Sequence, residues 1–167
     1  MEWLLLLEKC IWFGLAATGF AVLFNVPTKN LPTIYFMGAA GGFTKVLTMH
    51  FGVNIVFGSL FGATVVGFLS IYFAHKRHSP PPVLAIPSVI PMIPGILAYR
   101  MIIGMIRLAG EINPATYSQT LSETVNYGLK VMFILMCLAG GVAIPMLITR
   151  KESAKDLKFK RGKSRDN

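Results

Sequence analysis

The chain has 167 residues, of which 54% are hydrophobic and 14% charged, and its formal net charge is +9. Soluble domains carry about 25% charged residues, so this composition excludes an ordinary soluble domain and indicates a membrane protein. The positive charge does not indicate nucleic-acid binding, because 8 of the 16 Lys and Arg residues lie in the last eighteen positions. We interpret residues 150–167 as a basic cytoplasmic tail that faces anionic membrane lipids, and we expect no nucleic-acid partner.

Five apolar segments are long enough to cross a bilayer, which takes about 20 residues. The predicted spans are residues 3–24, 31–49, 53–74, 83–109 and 125–149. They form a single transmembrane domain, residues 1–149, so the predicted fold class is all-α with about five transmembrane helices. Proline, asparagine and polar residues predict the connections, which include a basic, proline-rich loop at 75–82 and a polar loop at 110–124.

The fourth segment contains Pro87, Pro91 and Pro94, and Gly95 follows the last of them. Proline lacks a backbone donor and clashes with the preceding turn, so we predict that this helix breaks near Pro94. Half-helix ends at such a break can hold a substrate or an ion, and a kink that only allows the helices to pack is the alternative. The sequence leaves open whether this stretch is a re-entrant loop or a kinked span.

Charged residues inside a membrane normally face a bundle interior, a water-filled cavity or a partner. Four cationic side chains lie within the predicted spans: Lys45, Arg100, Arg107 and Lys130. Snorkelling towards the interface is the favoured interpretation for three of them, and Arg100 is the better functional candidate. Arg100, Gly104 and Arg107 share one face of the second half-helix, which suits either an anion path or packing against an acidic partner helix.

Two GxxxG pairs, Gly38 with Gly42 and Gly58 with Gly62, predict close helix packing and favour assembly into an oligomer. An enzymatic function is not expected. His75 and His78 have no neighbouring carboxylate or thiol, and the sequence contains no catalytic triad pattern or phosphate-binding loop, so we expect neither a metal nor a cofactor.

Five spans place the two termini on opposite sides of the membrane. If the basic tail is cytoplasmic, Lys29, Lys76 and Arg77 lie on the same side, as the positive-inside rule requires. The sequence therefore predicts an external N-terminus and a cytoplasmic C-terminus.

Three stretches resemble the threonine/serine exporter family: FNVP at 24–27, the glycine-rich second span with its late basic residue, and IPMIPGILAY at 90–99. The likeness is to the small membrane component, which corresponds to the C-terminal half of full-length exporters. It implies a bacterial inner-membrane protein that works with a larger subunit and exports threonine and serine, or succinate, using the proton gradient. The family positions carried over are Asn25, Pro27, Lys45, Pro91, Pro94, Gly95 and Tyr99.

These possible substrates share a carboxylate, and the N-terminal end of the half-helix that begins near Gly95 is a natural anion site. The predicted substrate-binding residues are Pro91, Pro94, Gly95, Tyr99, Arg100 and Lys45. Because no acidic residue lies deep within a span, we expect the proton-carrying groups on the larger subunit. A scaffold or assembly subunit that never contacts substrate is the alternative.

Overall fold

The computed structural model describes residues 2–110 and 114–149. Within these ranges it contains six α-helices, two 3-10 turns and no strand, which confirms the all-α prediction. The helices are α1 (Glu2–Leu23), α2 (Leu31–His50), α3 (Ile55–Arg77), α4 (Pro81–Val89), α5 (Gly95–Ala109) and α6 (Pro114–Thr149), and the 3-10 turns are Thr28–Asn30 and Ile90–Met92. The predicted tail, 150–167, lies outside the described residues.

Among the described residues, three helices are long and apolar enough to cross a membrane: α1, α3 and α6. The pair Pro81–Met92 and Gly95–Ala109, bent by 60°, makes a fourth if it counts as one span. The prediction of five spans is therefore confirmed only in part. The helix α2 falls short because three glycines and Lys45 lower its hydropathy, and it can tolerate them because it contacts α1, α3 and α4 in the middle of the bundle.

The first GxxxG pair packs α2 against α1. A Cβ atom added at Gly38 would lie 2.5 Å from Cβ of Ala17, and one added at Gly42 would overlap the ring of Phe13. Only glycine lets the two helices approach this closely, so this pair lies in the contact between α1 and α2.

The second GxxxG pair packs α3 against α2. A Cβ atom at Gly62 would lie 2.7 Å from the carbonyl oxygen of Gly41, and one at Gly58 would lie 3.3 Å from the carbonyl oxygen of Lys45. Both glycine pairs are thus used within the chain. The two pairs therefore give no support to assembly into an oligomer, and the oligomer stays a prediction.

The helices α3 and α6 run in the same direction. A Cβ atom at Gly141 would lie 2.8 Å from Cβ of Ala63, whereas one at Gly67 would lie 3.0 Å from Cγ of Pro145. Later residues of α3 therefore face later residues of α6. The segment between α3 and α6 must therefore bring the chain back to the end of the bundle where α3 begins, which favours a kinked, broken span over a re-entrant loop.

Two predicted loops are shorter than expected. The helix α3 continues to Arg77, where His78 ends it in a left-handed conformation with φ of 49°, so the loop predicted at 75–82 narrows to 78–80. The polar loop predicted at 110–124 is wrong over 114–124, because α6 already begins at Pro114. Proline suits the first turn of a helix, and α6 packs against α5.

The bundle has two ends, which we name by a residue at each. The Lys29 end is where α1 ends and α2 begins, and the His50 end is where α2 ends and α3 begins. The helices α1 to α3 have 20 to 23 residues, or about 30 to 35 Å, which matches the hydrocarbon thickness of a bilayer.

The first half of α6 extends beyond the His50 end. Ala63 lies in the third turn of α3, but the facing Gly141 lies in the eighth turn of α6. At about 1.5 Å per residue, α6 begins roughly 25 Å beyond the start of α3. The helix α5 packs antiparallel on this extension, with Gly104 against Thr124. We call α5 together with residues 114–130 the projecting hairpin.

Candidate functional site

The predicted break in the fourth span is present. The helix α4 ends at Val89, a 3-10 turn follows, and Ile93 is extended with ψ of 132° before α5 begins at Gly95. The amide of Gly95 donates to the carbonyl oxygen of Ile93 at 2.9 Å. This amide is therefore engaged, and an anion at the α5 N-terminus would use the following amides of the first turn, which have no partner within the helix.

Lys45 reaches this break from α2. Its Nζ donates to the main-chain carbonyl oxygen of Met92 at 2.7 Å, and only 7% of the residue is exposed. The interpretation that Lys45 snorkels to the interface is therefore wrong. A broken helix leaves carbonyl groups without their usual partners, and the lysine ammonium satisfies one of them.

The ammonium of Lys45 lies deep in the bundle without a compensating charge. In the described part of the chain, no carboxylate forms an ion pair with it. An intramembrane ionisable group of this kind is expensive to bury and marks a functional site by default. The structure thus places Lys45 at the break, where its ammonium group bonds to a main-chain carbonyl oxygen.

Arg100 belongs to a different contact. Its Nη1 donates to the Tyr127 hydroxyl of α6 at 3.3 Å, and the guanidinium carbon lies 5.7 Å from the centroid of the same ring. Arg100 and the neighbouring Tyr99 are both exposed. The structure therefore does not bring Arg100 and Lys45 into one contact.

The glycine on the Arg100 face is covered by α6. Gly104 is buried, and a Cβ atom added to it would overlap the hydroxyl of Thr124. Of the two alternatives for this face, an anion path or helix packing, the structure shows packing at Gly104, and the packed helix belongs to the same chain. Arg107 is exposed.

A second polar contact, missed in the sequence, joins two loops at the Lys29 end. The fully buried Asn30 donates through Nδ2 to Oγ of Ser79 at 3.0 Å. The sequence indicates only a connection at Asn30, because asparagine and the neighbouring prolines favour a turn there. Its partner, 49 positions away, has no local signal in the sequence.

Two apolar cavities flank α4, each of about 330 Å³. One lies between α4 and α6, and the other between α4 and the segment that follows α1. Their lining side chains are aliphatic, aromatic or proline. Such cavities suit an acyl chain or an apolar helix and not a carboxylate.

A multi-pass helical bundle with one span broken around a buried cation is an architecture typical of secondary transporters. The chain matches the family model for "Threonine/Serine exporter, ThrE" over residues 9–148. It belongs to this transporter family, which confirms the resemblance found in the sequence.

One relative is an uncharacterized protein of Haemophilus influenzae, 34% identical over 144 residues. The match covers 86% of this chain and 47% of that protein, so the chain spans about half the length of this curated relative. No solved structure matches the chain.

Proposed function

We propose that this chain is one half of a two-component exporter of small carboxylate-bearing metabolites, threonine and serine or succinate, driven by the proton gradient. Family membership supports transport. The coverage of about half of a longer relative supports a partner that supplies the remaining part. The observation that carries the proposal is the bond from Lys45 to the carbonyl oxygen of Met92 at the helix break.

The substrate carboxylate competes with that carbonyl for the lysine ammonium. An ionised oxygen accepts a shorter and stronger hydrogen bond from an ammonium group than a neutral carbonyl does. Substrate binding at Lys45 therefore releases the carbonyl of Met92 and loosens the break, which Pro91, Pro94 and Gly95 keep out of a continuous helix. The first main-chain amides of α5 complete the anion site. Tyr99 and Arg100 lie within the first two turns of α5 and belong to the same proposed site.

The charges at the Lys29 end indicate how the chain is oriented in the membrane. The bond between Asn30 and Ser79 brings the turn that carries Lys29 next to the C-terminal end of α3, which carries Lys76 and Arg77. The helix α6 ends at this same end because it runs parallel to α3. We assign the Lys29 end to the cytoplasmic side of a bacterial inner membrane. The proton-carrying groups are assigned to the larger partner, since the described spans offer no deep carboxylate.

Deletion of this gene tests the function. Cells that lack it are expected to retain threonine and serine, or succinate, inside the cell, and expression of the intact chain should restore export. Unchanged external and internal levels of all three metabolites in the deletion strain would contradict the proposal.

Cysteine labelling separates a transporting subunit from a scaffold. A single cysteine at Ile96, beside the break, is expected to react more slowly with a thiol reagent when substrate is present. The matched control is a cysteine at Ser118, an exposed position on α6 beyond the bundle, where substrate should change nothing. If only a partner protein and never the substrate slowed the reaction at Ile96, the chain would be a scaffold.

A further inference from the structure

The projecting hairpin carries a continuous set of exposed apolar side chains. On α6 they recur every four residues, and on α5 they occupy the matching outward face, so each helix presents one stripe. The members beyond the bundle are Ile102, Met105, Ile106, Tyr117, Leu121 and Val125. The opposite face of α5 packs on α6 through Gly104, so the stripe is the side that remains open.

The height of the bundle argues against lipid tails as the cover of this surface. The helices α1 to α3 already fill about 30 to 35 Å, the full hydrocarbon thickness. The projecting hairpin begins where they end, since α6 starts roughly 25 Å beyond the start of α3. Apolar side chains outside the hydrocarbon layer need a protein to cover them, and exposed patches of this kind mark interaction sites.

The charges on the hairpin indicate what kind of protein covers this apolar surface. Arg100, Arg107 and Lys130 are exposed on it, and none of them forms an ion pair within the described ranges. The single described carboxylate of the hairpin, Glu123, accepts a hydrogen bond from Gln119 at 3.0 Å. The described part of the hairpin therefore has more exposed cations than carboxylates, which suits an occupant with acidic side chains.

Two alternative occupants are disfavoured by the same charges. A second copy of the hairpin would bring like cations together across a symmetric contact, because the same patch meets itself. The segment 150–167 carries eight Lys and Arg residues against three Asp and Glu residues, and it follows α6 at the opposite, Lys29 end.

We propose that the projecting hairpin is the docking surface for the second component of the exporter, a protein with an apolar contact surface rimmed by carboxylates. This inference rests on the proposed two-component function. It assigns the apolar stripes to the centre of the interface, and Arg107 and Lys130 to its rim. More than half the length of the Haemophilus influenzae relative is not covered by this chain, which is enough for such a partner.

Photo-crosslinking in native cells tests the surface. A benzophenone amino acid is placed at Ile102, Ile106 or Leu121 of the full chain, and at Phe68 as a control of similar exposure, since Phe68 is 61% and Ile106 63% exposed. The hairpin positions should crosslink to a protein whose sequence matches the part of the longer relative that this chain does not cover, and Phe68 should not. Adducts with lipid alone, or with a second copy of the chain, would overturn the proposal.

Charge reversal tests the rim without disturbing the core. Arg107→Glu should lower the yield of that crosslink at least about tenfold, because rim charges steer association and like charges oppose it. Arg77→Glu, an exposed charge reversal at the Lys29 end, should leave the yield unchanged. An equal yield from both variants would refute the assigned rim.

The surface and the two-component function can fail separately. If the matching protein crosslinks only at Phe68, this surface is wrong and the partnership stands. If deletion of the matching protein leaves export intact, the two-component function is wrong even where the crosslink forms.

Discussion

Gly95 and Gly104 both lie in α5, but a methyl group added at each meets different surroundings. No heavy atom lies within 4 Å of a Cβ at Gly95, whereas one at Gly104 would overlap Thr124. Gly104→Ala should therefore lower the melting temperature of the purified protein, since overpacking typically costs about 1 to 3 kcal/mol. Gly95→Ala should leave it unchanged, and equal melting temperatures for the two variants would contradict the packing described for α5 and α6.

Lys45 shows what could be predicted at the level of single residues. A lysine inside an apolar segment is visible in the sequence, and so are the prolines that break a helix. The partner of Lys45 is not visible, because Met92 accepts through a main-chain oxygen that every residue possesses. Arg100 had the opposite outcome, since its position after the break suggested a shared site, but tertiary packing directs it to Tyr127.

At the scale of the helices, the break depends on Pro91 and Pro94, which lie before and after the extended residue Ile93. Replacing Pro91 and Pro94 by alanine restores two backbone donors and removes the clash with the preceding turn. Spin labels at Ile86 and Ile106 should then move several ångströms further apart, towards roughly 30 Å for a continuous helix. Pro145→Ala, in α6, is the matched control and should leave this distance unchanged, and an unchanged distance in the double variant would show that the prolines do not cause the bend.

The helices differ in how far the sequence predicts them. The break and the turn at Asn25 follow from local backbone chemistry, and both are present, with a φ of 55° at Asn25. The glycine pairs predicted close approach but not which helices would meet. Residues 114–124 were interpreted as a loop because they are polar, yet they form a helix by packing against α5, a contact made far along the chain.

At the scale of the whole molecule, the two ends of the bundle differ in charge and should face opposite compartments. With Cys10 and Cys137 replaced by alanine, a single cysteine at Ser118 should react with a membrane-impermeant thiol reagent in intact spheroplasts. A single cysteine at Lys29 should react only after the membrane is opened. The reverse pattern would contradict the proposed orientation and exchange the external and cytoplasmic sides.

The count of spans is also a property of the whole molecule. Hydropathy detects helices that contact lipid, whereas α2 contacts α1, α3 and α4. Because α2 contains glycines and Lys45, its mean hydropathy is too low for it to be recognised as a span. The parallel arrangement of α3 and α6, which makes α4 and α5 cross the bundle, follows from glycine contacts that no composition reveals.

The most direct test of the central claim is export from the deletion strain when it expresses Lys45→Met. The account predicts that this variant reaches the membrane at the normal level but exports the substrate at least about tenfold more slowly, as expected for loss of a charged hydrogen bond of roughly 1.5 to 3 kcal/mol. Lys76→Met removes an exposed lysine at the Lys29 end, away from the break and from the projecting hairpin, and should export normally. Normal export by Lys45→Met would contradict the claim that the buried lysine at the helix break receives the substrate carboxylate.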